Sequence, residues 1–314
     1  MMQILLELSF IMDKRKRGIA LFITLMVIAS IMSIIAVSFS YLEKVQKDAG
    51  TTSSIIQGDL LYKNTLSILK RFFPAKQNNS EKLKLIYTMP LVLTEPKSGF
   101  EITLTCEPLL KGVPINWLDE GSTWNMIEKT NLANDVLTRV MEQYNIEEPT
   151  ALEELIRQEI TGKVTQNQEY TPRIKQKKGI VSKEQFYRII INYRLLYDDP
   201  KVLRIPWEKY FSFSQVSEKT KIDGVYLTPE LISVAFEIPI EIVLDSWIVG
   251  ESTLLTFLTD NTIVIGATKK KIYSNKALNA LHCEQRYAYR DGQYKFNFDY
   301  IEGRGTNFEF NGKE

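Results

Sequence analysis

The chain has 314 residues, 44% of them apolar and 25% charged, which is the composition of a folded protein with length for about two domains. Its 39 Lys and Arg offset 38 Asp and Glu, so a net charge of +1 gives no general attraction to nucleic acid. Two cysteines exclude a disulfide-rich scaffold and a four-thiolate zinc site, and a single histidine, His282, leaves almost no room for catalysis by several histidines.

Residues Gly18 to Leu42, GIALFITLMVIASIMSIIAVSFSYL, carry no charged side chain and follow directly on Lys14, Arg15, Lys16 and Arg17. At roughly 1.5 Å per residue this run crosses a hydrocarbon core of about 30 Å, which predicts a transmembrane helix. The far flank, Glu43, Lys44, Lys47 and Asp48, sums to zero. The positive-inside bias therefore places the N-terminus in the cytoplasm and everything beyond about residue 45 outside it. A cleaved secretory signal shares the basic start, but its apolar core is usually about 7–15 residues, and no clear small-x-small site follows Leu42. The pattern instead stays helical: Ile56, Leu60, Leu61, Ile68, Leu69 and Phe72 recur at spacings of three, four and seven until Pro74. One rod from Ile19 to Phe73 is expected, roughly 80 Å long if unbroken, with Gly50 and Gly58 as points of bending.

The junction KRKRG–IALFITLMVIA resembles a type IV prepilin signal. That resemblance implies cleavage between Gly18 and Ile19 by a prepilin peptidase at the cytoplasmic face. Most pilin-like proteins have glutamate as the fifth mature residue, where its carboxylate can pair with the amino terminus of a neighbouring subunit in an apolar filament core. Here that position is Ile23. With this departure, the start RGIALFITLMVIASIMSIIA is similar to the GspK-type minor pseudopilins of type II secretion systems, which stand at the pseudopilus tip. An unrelated bitopic protein with glycine after its basic anchor is the alternative. Met12 opens MDKRKRG, a compact basic leader, and is an alternative start for the chain.

Beyond Pro74 and a polar loop, LKLIYTMPLVL (Leu83 to Leu93) and FEITLTCEPLL (Phe100 to Leu110) read as strands, the second alternating through Phe100, Ile102, Leu104 and Cys106. GVPINWL resembles the Gly-x-Ile-Asn-Leu-Asn segment of the GspK family, with Trp117 in place of leucine. From Asn131 to about Phe211 the spacing turns helical, with Leu132, Val136, Leu137, Val140 and Tyr144 on one face. Thr150 with Glu153 reads as a capping box, and Ser182 before Glu184 and Gln185 as another helix start. The basic stretch from Gly162 to Gly179 reads as a solvated loop. The last part, LLTFL, NTIVIGA, QRYAYRDGQYKFNFDYI and TNFEFNG, reads as strands, with a hairpin at Asp291-Gly292.

The expected fold class is α+β: a long N-terminal transmembrane and amphipathic helix, a pilin-like antiparallel sheet, and an all-helical insertion domain. The expected divisions are leader 1–18, membrane helix 19–42, its continuation 43–73, pilin-like strands 74–130, helical insertion 131–215, and a return to the pilin-like part over 216–314. YLTPELISVAF stands where the family has an Asn-Thr-Ala-Pro pattern, without its asparagines.

No GxGxxG, P-loop, GxSxG or HExxH is present. His282 beside Cys283 is half a metal site at most, and a structural role is the stronger reading. Glu147-Glu148, Glu153-Glu154 and Asp198-Asp199 carry oxygen ligands suited to a hard cation. The family resemblance implies calcium near the helical insertion, but the family's acidic run has no counterpart here, so no ligand is assigned and no cofactor is expected. In an oxidising compartment Cys106 and Cys283 form a disulfide or stay buried as free thiols.

Together with these readings, the GspK resemblance implies a minor pseudopilin, a non-enzymatic tip or initiation subunit of a type II secretion pseudopilus, held in the inner membrane by one pass with its C-terminal domain in the periplasm. The partners this implies are other minor pseudopilins, the inner-membrane assembly platform and the prepilin peptidase. The alternatives are a minor pilin of a type IV pilus or DNA-uptake system, and a bitopic periplasmic receptor or enzyme. A mature chain with 35 basic and 36 acidic residues disfavours DNA capture.

Overall fold

A computed structural model of the chain describes residues 2–74, 77, 79–95, 100–119, 126–162, 179–215, 217, 219–289 and 292–313. The chain divides after Asp59 into two compact units. The first unit is helix, the opening part of α1 (Met2–Phe72). No proline occurs before Pro74, so nothing in the sequence interrupts the hydrogen-bond ladder. From Phe22 onward its apolar side chains are exposed. Ser30 and Ser38 donate to the carbonyls of Met26 and Ile34, each at 2.8 Å, so neither hydroxyl is left unsatisfied within the apolar run.

The second unit starts with the last turns of α1 and continues through α2 (Ser80–Thr88), β1 (Leu91–Glu95) and β2 (Phe100–Pro108). A helical block follows: β3 (Val113–Pro114), α3 (Ile127–Gln143), α4 (Pro149–Thr161), α5 (Lys183–Tyr197), β4 (Phe211–Ser212), α6 (Pro229–Phe236), α7 (Ile240–Ser246), α8 (Leu254–Asp260) and α9 (Ala267–Lys270). The chain then closes with β5 (Ala280–Tyr289), β6 (Gly292–Ile301) and β7 (Arg304–Lys313). The five long strands form one antiparallel sheet in the order β1-β2-β5-β6-β7. The helical block is therefore inserted between two neighbouring strands, β2 and β5.

Each part has its own core. On one face of the sheet, Leu104, Leu281, Tyr287, Phe296, Phe298 and Tyr300 pack with Leu61, Leu69 and Phe73 of the chain leaving α1 and with Leu83 and Ile86 of α2. Tyr62 meets Phe298 edge-on at 5.3 Å and Phe308 at 4.7 Å, contacts worth about 0.5–1.5 kcal/mol each beyond simple burial. Gly305 on β7 lies close under this packing, where a Cβ would displace the Tyr62 hydroxyl and the Leu66 methyls. The helical block buries Trp117, Val136, Tyr193, Trp207, Leu227, Trp247 and Phe257 in a second core. Asn116, near the start of the block, ties in the chain entering α5 and the chain leaving β4: its Nδ2 donates to the carbonyls of Ile180 and Ser214, and its Oδ1 accepts from the Ile180 N–H.

Several local expectations need correction. Leu83 to Thr88 are helical rather than extended, because Leu83 and Ile86, three apart, are the positions buried; only Leu91 onward is strand. LLTFL is α8, started by the Thr253 side chain accepting the Thr256 N–H, and NTIVIGA forms no strand. The helical core consequently runs well past residue 215, taking in Ile222, Leu231, Val243, Leu254 and Tyr273, and the sheet resumes only at Ala280. Pro149, not Thr150, opens α4, with Glu148 at its N-cap, since proline at the first helical position needs no N–H partner. Ser182 does cap α5, accepting the Gln185 N–H at 3.3 Å while Gln185 accepts from Val181. β5 and β6 pair as a hairpin, whose turn at Asp291 lies outside the described residues, as does the basic loop 163–178.

Candidate functional site

The features that bear on function are the apolar helix, the junction where the block enters the sheet, and the surface of the block. In α1, Lys14, Arg15, Lys16, Arg17, Gly18 and Ile19 lie in continuous helix, and their backbone alone is described. Ile23, one turn further on, is exposed, as are Phe22, Met26 and Val27 around it. This helix is long and apolar enough to cross a membrane.

Cys106 and Cys283 sit directly opposite each other on β2 and β5 and form a disulfide, with sulfurs 2.06 Å apart and a sequence separation of 177. Alternation along the strands turns both sulfurs into the sheet core. It also closes the inserted block into a covalent loop at its base.

His282 points to the opposite face from Cys283, which removes the two as a metal pair. Its Nδ1 lies 2.7 Å from Asp299 Oδ1, and Asn307 Nδ2 donates to Asp299 Oδ2 at 2.6 Å. Burial works against the charged imidazole, but the bonded Asp299 carboxylate and nearby Glu107 outweigh it and hold the His282 pKa above its ordinary value. Among the described residues no group of three or more His, Cys, Asp or Glu stands where it could hold a metal ion. The acidic pairs are engaged structurally: Glu147 with Lys201 at 3.0 Å, Glu153 with Arg157 at 2.8 Å, and Asp199 accepting the N–H groups of Glu147 and Lys201.

Asp223 at the junction and Thr65 on α1 escape a reading by motif. Asp223 is buried and accepts three backbone N–H bonds, from Val225 at 3.0 Å, Tyr226 at 3.3 Å and Leu278 at 2.8 Å, while its own N–H donates to Leu110. It thereby holds both chain crossings between block and sheet. Burial pushes its carboxyl up to about 6 despite these donors. The Asp223-Gly224 pair was the available signal, since Asp commonly bonds to backbone two residues on, and Gly224 has no space for a Cβ against the Ser274 carbonyl. Thr65 of α1 donates to Gln285 Oε1 at 2.7 Å with both side chains buried, a contact across 220 residues that no local pattern announces.

No family model matches this sequence, and no curated protein matches it either. Among solved structures, a chain of the crystal structure of the GspK-GspI-GspJ complex from the enterotoxigenic Escherichia coli type 2 secretion system is similar. The two superpose with a TM-score of 0.50 at 13% identity, covering 82% of this chain and 98% of that one. At that identity the likeness concerns the fold. The apolar helix, the antiparallel sheet and the helical block between β2 and β5 together give this chain a pilin-like α+β fold of the GspK type.

Proposed function

We propose that this protein is a minor pseudopilin, a non-enzymatic subunit that begins or ends the short filament of a type II secretion system. The observation that carries the reading is the fold likeness, which spans nearly the whole of a chain from a complex of minor pseudopilins. On this reading α1 from Ile19 is the membrane-held helix, released from its leader after Gly18, and the exposed aliphatic side chains beyond Leu42 pack on the helices of two or three sister subunits. A carboxylate at the fifth mature position serves a subunit that has another stacked above it. Ile23 suits one that has none. The block between β2 and β5 gives that end a bulky head, and the periplasm supplies the oxidising setting for the Cys106–Cys283 bond.

Site-specific crosslinking from residues 45–73 in assembled filaments tests the position. Products with other minor subunits, confined to one end of each filament, are expected. Products repeated along the shaft would refute an end position.

A further inference from the structure

Between Lys221 and Lys269 the sequence has no Lys, Arg or His, yet seven carboxylates fall there: Asp223, Glu230, Glu237, Glu241, Asp245, Glu251 and Asp260. Four are engaged within the molecule. Asp223 accepts backbone N–H bonds, Glu230 pairs with Lys209, Glu237 with Arg139, and Glu251 with Lys84. Glu241, Asp245 and Asp260 are exposed and make no hydrogen bond or ion pair among the described residues.

Two of these free carboxylates lie on α7, whose solvent side is unusual. Val243 and, just past the helix, Trp247 are the residues that α7 and its end commit to the core, with Trp247 Nε1 donating to the Leu227 carbonyl at 3.0 Å. Ile242, Leu244, Ile248 and Val249 are all left exposed, Leu244 at 63%. At 100° per residue, Leu244 and Ile242 flank Glu241 and Asp245 on the side away from Val243. An ordinary surface helix would place polar groups there. Four large aliphatic side chains within eight residues make a patch whose burial is favourable by roughly 1.5–3 kcal/mol per fully covered side chain.

We infer that the α7 face is a docking surface for a cationic amphipathic helix of another protein, one that places aliphatic side chains between Ile242 and Leu244 and Lys or Arg against Glu241 and Asp245. The sign of the charge selects this occupant: a stretch with no cation of its own leaves these carboxylates to be met from outside. The same sign repels an anionic lipid surface. A second copy of the chain is a poorer fit, because the cationic and apolar ridge it offers on α5, Arg188, Ile191 and Leu195, is bracketed by Glu184 and Asp198. The inference does not depend on the pseudopilin reading.

The test places p-benzoylphenylalanine at position 244 of the full-length chain in its own cells, irradiates, and sequences the crosslinked peptides. Expected is a peptide of a different protein with Lys or Arg spaced three or four residues apart among aliphatic residues. Its yield should fall at least 10-fold in Glu241→Lys/Asp245→Lys and stay unchanged in Asp260→Lys, the same reversal elsewhere in this acidic stretch. Both α7 carboxylates are exposed, so the melting temperature of the double variant should match the parent. If it does not, Glu241→Gln/Asp245→Asn, which introduces no new charge, is read instead, with at least a 3-fold fall expected. Crosslinks to lipid, to a second copy or to a peptide without cations would overturn the inference. So would the absence of any product, or a yield indifferent to the α7 charges.

Discussion

Replacing Thr65 by valine removes one hydroxyl and keeps the side chain's shape, which isolates the bond that joins the end of α1 to β5. In the native protein Thr65 donates to Gln285 Oε1 at 2.7 Å, and Gln285 is wholly buried with no partner for its Nε2 among the described residues. The valine leaves the whole amide group of that side chain unpaired in an apolar core. An orphaned buried polar group costs about 1–3 kcal/mol, more than the net value of about 1 kcal/mol of an ordinary hydrogen bond. Thr65→Val should therefore destabilise the chain by about 1–3 kcal/mol, and Gln285→Leu alone should leave the Thr65 hydroxyl orphaned at similar cost. The double variant Thr65→Val/Gln285→Leu removes every polar atom of the pair and should be close to the parent or more stable. Urea unfolding of the full chain in non-ionic detergent, followed by aromatic fluorescence, measures all four corners of the cycle. A Thr65→Val variant within 0.3 kcal/mol of the parent, or a double variant as weak as the sum of the singles, would refute the reasoning.

Further expectations follow from the junction and the sheet. Cys106→Ser/Cys283→Ser opens a covalent loop closed over a sequence separation of 177 and should lower stability by about 5 kcal/mol by the loop-entropy relation, read as a lower urea midpoint that reducing agent reproduces in the parent. Gly305→Leu drives a side chain into Tyr62 and Leu66 and should loosen the last turns of α1, seen as faster amide exchange from residue 60 to 72 with little change at Val136. Stability should rise as pH falls from 8 toward 5.5. The His282 contribution is complete below about 6.5 and lost as pH climbs through its raised folded value. The penalty on ionised Asp223 is present above about 6 and fades below it. His282→Gln should remove the upper part of that rise in melting temperature and leave the part near 6.

The parts of this fold legible in the sequence are those where one physical signal acts alone. An uncharged run after four basic residues can only be accommodated in apolar surroundings, and alternation in β2 and β6 reports a sheet with one buried face. Where two signals compete, the sequence is ambiguous. LKLIYT contains β-favouring Ile and Tyr but buries Leu83 and Ile86 at helical spacing, and LLTFL differs from a strand only through the cap supplied by Thr253. The extent of the helical block was hidden for that reason. The Cys106–Cys283 bond depended on register between strands 177 residues apart, and the Thr65–Gln285 bond on packing across 220, neither of which has a local trace. The acidic character of residues 222–268 was visible as composition. Its meaning rests on which carboxylates are engaged and which aliphatic side chains are left exposed.

The proposed function requires that Gly18 end a leader and that Ile19 begin a membrane-held filament subunit. Mass spectrometry of the intact chain from cells with and without a prepilin peptidase tests it most directly. A mature N-terminus at Ile19 is expected only when the peptidase is present, and the longer form in Gly18→Val under either condition. An uncut chain in peptidase-containing cells, normal processing of Gly18→Val, or an N-terminus beyond Leu42 would contradict it.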